Sequence, residues 1–83
     1  MNLKELTNSI VLKLVKNTEA VSVEEITSDQ LTTINVLIDE EDMGRVIGKN
    51  GKIINSIRTI LQASAYIQGN HNVKLNIETQ KKD

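Results

Sequence analysis

The residues best suited to chemistry in this chain are gathered in Val46-Ile47-Gly48-Lys49-Asn50-Gly51-Lys52-Ile53-Ile54. Two glycines three apart hold a lysine and an asparagine between them, and the apolar residues on either side read as helix. Glycine takes positive φ without a Cβ clash and lets another backbone come near, so Gly48 and Gly51 make the main chain itself a contact surface in a tight exposed turn. Lys49 and Asn50 stand at its tip. A helix starting at Gly51 or Lys52 aims its unpaired N–H groups and the positive end of its dipole at the same point, which suits a phosphate. The turn is a candidate anion clamp.

The overall charge of −1 argues against a polyanionic ligand, but it hides a partition. Residues 1–42 hold Lys4, Lys13 and Lys16 against nine acids, a net of −6. Residues 43–77 hold Arg45, Lys49, Lys52, Arg58 and Lys74 with no acid, a net of +5, and the last six residues cancel. A positive patch is therefore expected around the glycine turn. A local patch outweighs the total because charges further apart than about 8 Å are screened at physiological salt.

The elements that must position this turn belong to one small domain. Eighty-three residues give one modest core, too little for a catalytic cleft with a lid and a cofactor domain, so residues 1–83 are expected to be a single binding module without a cofactor. With no cysteine, neither disulfides nor thiolate metal sites hold the fold, and packing alone must stabilise it. No apolar run reaches membrane-spanning length, and Met1-Asn2-Leu3-Lys4-Glu5 does not open a signal peptide. A soluble, cytoplasmic chain is the expectation.

Asn2 with Glu5 makes a capping-box arrangement for a helix over about 3–16, in which Leu3, Leu6, Ile10, Val11 and Leu14 form the apolar stripe. Leu12 and Val15 fall off that stripe, as scattered surface apolars or as a subunit contact. Val21 and Val23 alternate with polar residues in a short strand, Ser28-Asp29-Gln30 turns, and a second strand over 31–38 points Ile34, Val36 and Ile38 one way and Thr33, Asn35 and Leu37 the other. Asp39, Glu40, Glu41 and Asp42 crowd the first turn of a helix over about 40–47, where carboxylates meet free N–H groups. Read as a metal site, the four acids would point around the helix instead of converging. In that helix Met43, Val46 and Ile47 face inward, while Gly44 costs about 1 kcal/mol relative to alanine and calls for a close backbone approach. After the turn, residues 52–66 read as a longer helix with Ile54, Ile57, Leu61 and Ala65 inward and Ile53 and Ile60 flanking. Tyr66, the sole aromatic, reads as a core or helix-end packing residue. Gly69-Asn70 ends the helix, and Val73, Leu75 and Ile77 alternate in a last strand.

The stretch from Asp42 to Arg58, with Gly48-Lys49-Asn50-Gly51 preceded by Ile47 and followed by Ile54 and Ile57, resembles a KH domain. The element order α-β-β-α-α-β is similar to the bacterial type II form, and the likeness covers nearly the whole chain. That resemblance implies an α+β fold in which a three-stranded mixed sheet (core about 20–79) carries three helices on one face. The strand over 31–38 would pair in parallel with one over 73–79 through a right-handed crossover. It also implies single-stranded RNA held in a groove, with Gly48, Lys49, Asn50 and Gly51 clamping its backbone. Lys52 and Arg45 join the site by charge. Val46, Ile47, Ile53 and Ile54 are candidates for the groove floor, with plain core packing the stronger reading of Ile47 and Ile54. The backbone of 73–77 is placed to read bases. A role as RNA chaperone or post-transcriptional regulator follows from the resemblance, with self-association as a homodimer and pairing with a larger, multidomain KH protein of the KhpB or Jag type.

Other classes fit less well. A helix-turn-helix DNA reader also uses two helices joined by a glycine turn, but it leaves the strands without a role. A protein-interaction scaffold is the other alternative. A phosphate-binding P-loop fails by count, since three residues separate Gly44 from Gly48 and Asn50 stands where Ser or Thr would hold magnesium. An enzyme is not expected: His71, the only histidine, sits in Gly69-Asn70-His71-Asn72 without a nucleophile pattern and reads as a turn residue.

Overall fold

The computed structural model describes residues 2–70 and 72–80, so the readings of His71 and of the charges at 81–83 lie outside the described residues. Helix α1 (Leu3–Leu14) begins at Asn2, whose Oδ1 accepts the Glu5 N–H at 2.7 Å while its Nδ2 donates to Glu5 Oε1 at 3.2 Å. The buried residues are Leu3, Thr7 and Val11, with Leu6, Ile10 and Leu14 half-buried beside them. The inward stripe is thus rotated toward Thr7, which tolerates full burial because its hydroxyl donates to the Leu3 carbonyl at 2.7 Å. The helix stops at Leu14, two residues short of the expected end. Val15 turns to extended ψ of 155° and packs half-buried against the core, so it is neither a surface apolar nor a free subunit contact.

A single 3-10 turn (Thr18–Ala20) leads into β1 (Ser22–Ser28), which pairs antiparallel with β2 (Leu31–Asp39) in unbroken register from Ser22↔Leu37 to Ser28↔Leu31. Asp29, at φ 54°, supplies the positive φ of the hairpin turn. The strand is longer and more exposed than Val21 and Val23 suggested. Strand β2 is central in the order β1-β2-β3, and its period-two pattern sends Ile34, Val36 and Ile38 into the core with no exposure. Thr33, Asn35 and Leu37 are half-buried on the opposite, helix-free face.

Beyond Asp39 the chain makes a 3-10 turn (Glu40–Asp42), then α2 (Met43–Ile47), another 3-10 turn (Lys49–Gly51) and α3 (Lys52–Ile67). Asp39 caps the first turn, its Oδ1 accepting the Glu41 N–H at 2.9 Å, as the acidic run implied. Ile54, Ile57, Leu61 and Ala65 on α3 close the core over β2, and Val46 joins them from α2. At the far end, Gly69 (φ 86°) and Asn70 donate to the Tyr66 and Ala65 carbonyls at 3.0 and 2.8 Å, a Schellman stop. Strand β3 (Val73–Gln80) returns parallel to β2 from Thr32↔Val73 to Asp39↔Gln80. Tyr66 is 66% exposed, so the expected core role does not hold. Ile67 beside it is 85% exposed.

Candidate nucleic-acid interface

Helix α2 is closed by the Gly48 N–H, which donates to the Gly44 carbonyl at 2.9 Å, and the turn that follows is closed by the Gly51 N–H on the Gly48 carbonyl at 3.2 Å. Between these bonds the backbone takes positive φ three times: 78° at Gly48, 56° at Asn50 and 74° at Gly51. The sequence foretold this for the glycines but not for Asn50, a residue type that accepts the left-handed region more readily than most. The glycines have different reasons to be there. A Cβ on Gly48 would lie 2.6 Å from Ile53 Cγ1 and 2.9 Å from its Cβ, so the first glycine is needed for φ and for the close packing of Ile53. At Gly51 the nearest atoms are 3.7 and 3.9 Å away, so φ alone demands it. The outcome is a compact corner with Lys49 and Asn50 exposed at its tip.

Gly51 is also the N-cap of α3 and offers no side-chain acceptor to the first N–H groups of that helix. Lys52, in the first turn, is exposed. The Lys52 N–H turns back to the Lys49 carbonyl, so the first donor of α3 is used within the corner, while the positive dipole end of the helix and two exposed lysines lie beside it.

Of the remaining expected residues, Arg45 is exposed on α2 and pairs through Nε with Asp42 Oδ1 at 3.4 Å. Ile47 and Ile53 are half-buried beside the turn and supply its apolar surface. Val46 has no exposure and Ile54 only 5%, so both belong to the core and give a groove no floor. The basic patch also loses a member. Lys74 alternates with the inward Val73 and Leu75 and sits on the helix-free face of the sheet, leaving Arg45, Lys49, Lys52 and Arg58 on the helical side. Arg58 donates from Nη1 to Asn55 Oδ1 at 3.1 Å, along α3 from the turn. Strand β3 is an edge strand, as a base-reading backbone would require.

Two features escaped the sequence. Gly44 is exposed, with nothing within 4 Å of where a Cβ would stand, so the fold contains no close approach that requires glycine there. Asp42, read with its neighbours as part of a helix start, is fully buried: Oδ1 accepts the Lys16 N–H at 3.0 Å and Oδ2 accepts the Asn17 N–H and Nδ2 at 2.9 and 3.0 Å. Burial alone pushes its carboxyl up, but the Lys16 and Asn17 donors together with the Arg45 charge outweigh that and hold it below the ordinary carboxylate value. Among the described residues no group of acids, histidines or cysteines is placed to hold a metal, and no helix is long and apolar enough to cross a membrane.

The α-β-β-α-α-β order, the parallel β2–β3 pair and the glycine corner between α2 and α3 define a type II KH domain. The family profile described as KhpA/KhpB, KH domain, matches residues 4–78, and the chain belongs to that family. An RNA-binding protein KhpA from Caldanaerobacter subterraneus subsp. tengcongensis is 46% identical over 61 residues, which cover 74% of this chain and 81% of the relative. One from Oceanobacillus iheyensis is 35% identical over 75 residues, covering 90% and 99%. Among solved structures, Aquifex aeolicus Era bound to GDP.AlF4- superposes with a TM-score of 0.62 at 20% identity. That match covers 96% of this chain and 31% of Era, a likeness of fold.

Proposed function

We propose that this chain binds single-stranded RNA, the Gly48-Lys49-Asn50-Gly51 turn clamping the sugar-phosphate backbone while Ile47 and Ile53 meet the bases or sugars beside it. The observation that carries the reading is the corner itself. Three positive φ angles expose main chain and both tip side chains at the uncapped start of a 16-residue helix, with Lys49, Lys52 and Arg45 around it. Membership of the KhpA/KhpB family, whose curated relatives are named RNA-binding proteins, supports the choice of RNA over a small anion.

The grip is weak and tolerant of sequence. Base stacking on aromatics, where present, is worth about 1–3 kcal/mol per base, and the one aromatic, Tyr66, lies at the opposite end of α3 from the turn. A module with such a short contact gains from linked sites, so it acts as an RNA chaperone or post-transcriptional regulator in the cytoplasm, as a homodimer or beside a larger KhpB or Jag-type protein. The homodimer would use the outward side of α3, where Ile60 and Ile67 are 47% and 85% exposed, seven residues apart on one helical face. The test is an anisotropy titration with a short single-stranded RNA across a salt series. Two or three neutralised phosphates give a slope of log K on log salt of roughly −1.4 to −2.1. Affinity independent of salt would overturn the phosphate clamp.

A further inference from the structure

We infer that Asp42 is a positioning residue for RNA binding, and that it aims the Arg45 guanidinium as a second phosphate contact one helical turn before the glycine corner. The inference rests on the reading of the corner as a backbone clamp. Among the described residues Asp42 is the one acid with no solvent exposure, and both of its oxygens are fixed by donors from another part of the chain. Those donors are the Lys16 N–H on Oδ1 and the Asn17 N–H and Nδ2 on Oδ2. A carboxylate held at both oxygens cannot swing to follow a mobile partner. Arg45 meets it through Nε at 3.4 Å, while the Arg45 side chain remains 56% exposed.

The consequence lies in the shape of the guanidinium. Nε is the atom that approaches Asp42, in an ion pair that lacks hydrogen-bond geometry, and among the described residues the two terminal nitrogens have no partner. That free edge is a planar fork matched to two phosphate oxygens, which an ammonium cannot imitate. Arg45 stands in the last turn of α2, which Gly48 ends at φ 78° and ψ 174°, so the fork lies just ahead of the corner in the chain. There it would take the phosphate next to the one held at the corner. The Asp42 carboxyl, held below its ordinary value, stays charged throughout the neutral range and keeps the fork in place.

The test compares Arg45→Gln, Arg45→Lys, Asp42→Asn and Asp42→Asn with Arg45→Gln, titrating each full-length chain with the same single-stranded RNA over a salt series. Arg45 is exposed, so its variants keep the fold. Loss of one phosphate contact weakens binding about fivefold near 0.1 M salt and makes the slope shallower by about 0.7. Arg45→Lys keeps the charge and so the salt slope, but is expected to lose affinity because an ammonium does not take two phosphate oxygens; the double variant is expected to bind no worse than Arg45→Gln, because the two residues act as one unit. Arg45→Lys binding as the parent chain does would overturn the inference. So would losses that multiply in the double variant, the mark of a carboxylate that merely supports the fold. If Asp42→Asn does not fold, the Arg45→Lys result alone decides. If the parent chain binds no RNA, the clamp reading and this inference fall together; if it binds and the Arg45 variants match it, only the inference fails.

Discussion

Lys49→Asp combined with Asn50→Asp should weaken RNA binding severalfold to a hundredfold, with about thirtyfold expected from charge alone, and leave the domain folded. Both side chains are exposed at the tip of the corner and contribute nothing to the buried cluster. The one backbone demand at these positions is φ 56° at Asn50, and aspartate meets it: Asp29 sits at φ 54° in the β1–β2 turn of this same chain. Stability should therefore change by under about 0.5 kcal/mol. The effect on binding follows from charge. The double change shifts the tip by three charge units, and one unit acting on a phosphate about 6 Å away in water is worth about 0.7 kcal/mol before screening. Over two phosphates this comes to about 4 kcal/mol, and screening at physiological salt halves it to about 2 kcal/mol, a loss of roughly thirtyfold. Two carboxylates at the start of α3 also cancel the dipole end that attracts the phosphate. Circular dichroism melting beside an anisotropy titration reads both effects. Parent-like affinity in a folded double variant would show that the corner is structural and that RNA, if bound, is held elsewhere.

The two glycines flanking Val46 and Ile47 should respond with opposite signs. Gly48→Ala meets Ile53 at 2.6 Å and needs φ 78°, so it should cost about 2 kcal/mol or more, whereas Gly44→Ala, helical and in open space, should add about 0.5–1 kcal/mol, both measurable by urea denaturation. Acid should expose Asp42. Its folded pKa lies below the ordinary 3.8, so its contribution is complete above about pH 5 and is lost as pH falls through 3.8 toward the folded value, where the unfolded chain alone takes up the proton. The stability gap between the parent chain and Asp42→Asn should accordingly shrink on acidification; a gap that widens would contradict the assignment. Ile60→Glu, at a position 47% exposed, should leave melting unchanged and shift sedimentation toward the monomer at high micromolar concentration. A parent chain that is already monomeric there would remove the α3 face as a dimer surface.

The central strand and the crossover were legible in the sequence because their signals are local and periodic. Ile34, Val36 and Ile38 alternate, Ile54, Ile57, Leu61 and Ala65 follow the helical period, and Gly48 and Gly51 mark the corner; all take the places their spacing implies. What stayed hidden depends on elements meeting in space. Asp42 reads as one acid among four until the Lys16 and Asn17 amides just beyond α1, some 25 residues earlier, are found on its oxygens. The same encounter explains why α1 ends early and why Val15 is turned inward. Lys74 is different, since its alternation with Val73 and Leu75 already sends it away from the helices. Thr7 gives no apolar signal in the sequence, yet a threonine in a helix can satisfy its hydroxyl on the preceding turn and so be buried.

The most direct test of the backbone clamp is amide mapping by nuclear magnetic resonance, titrating the labelled chain with a short single-stranded RNA. The largest shifts should fall on Gly48, Lys49, Asn50, Gly51 and Lys52, with Arg45 and Ile53 next, while Thr33, Asn35 and Lys74 on the helix-free face stay still. Shifts centred on that open sheet face, with the corner unmoved at saturation, would contradict the clamp.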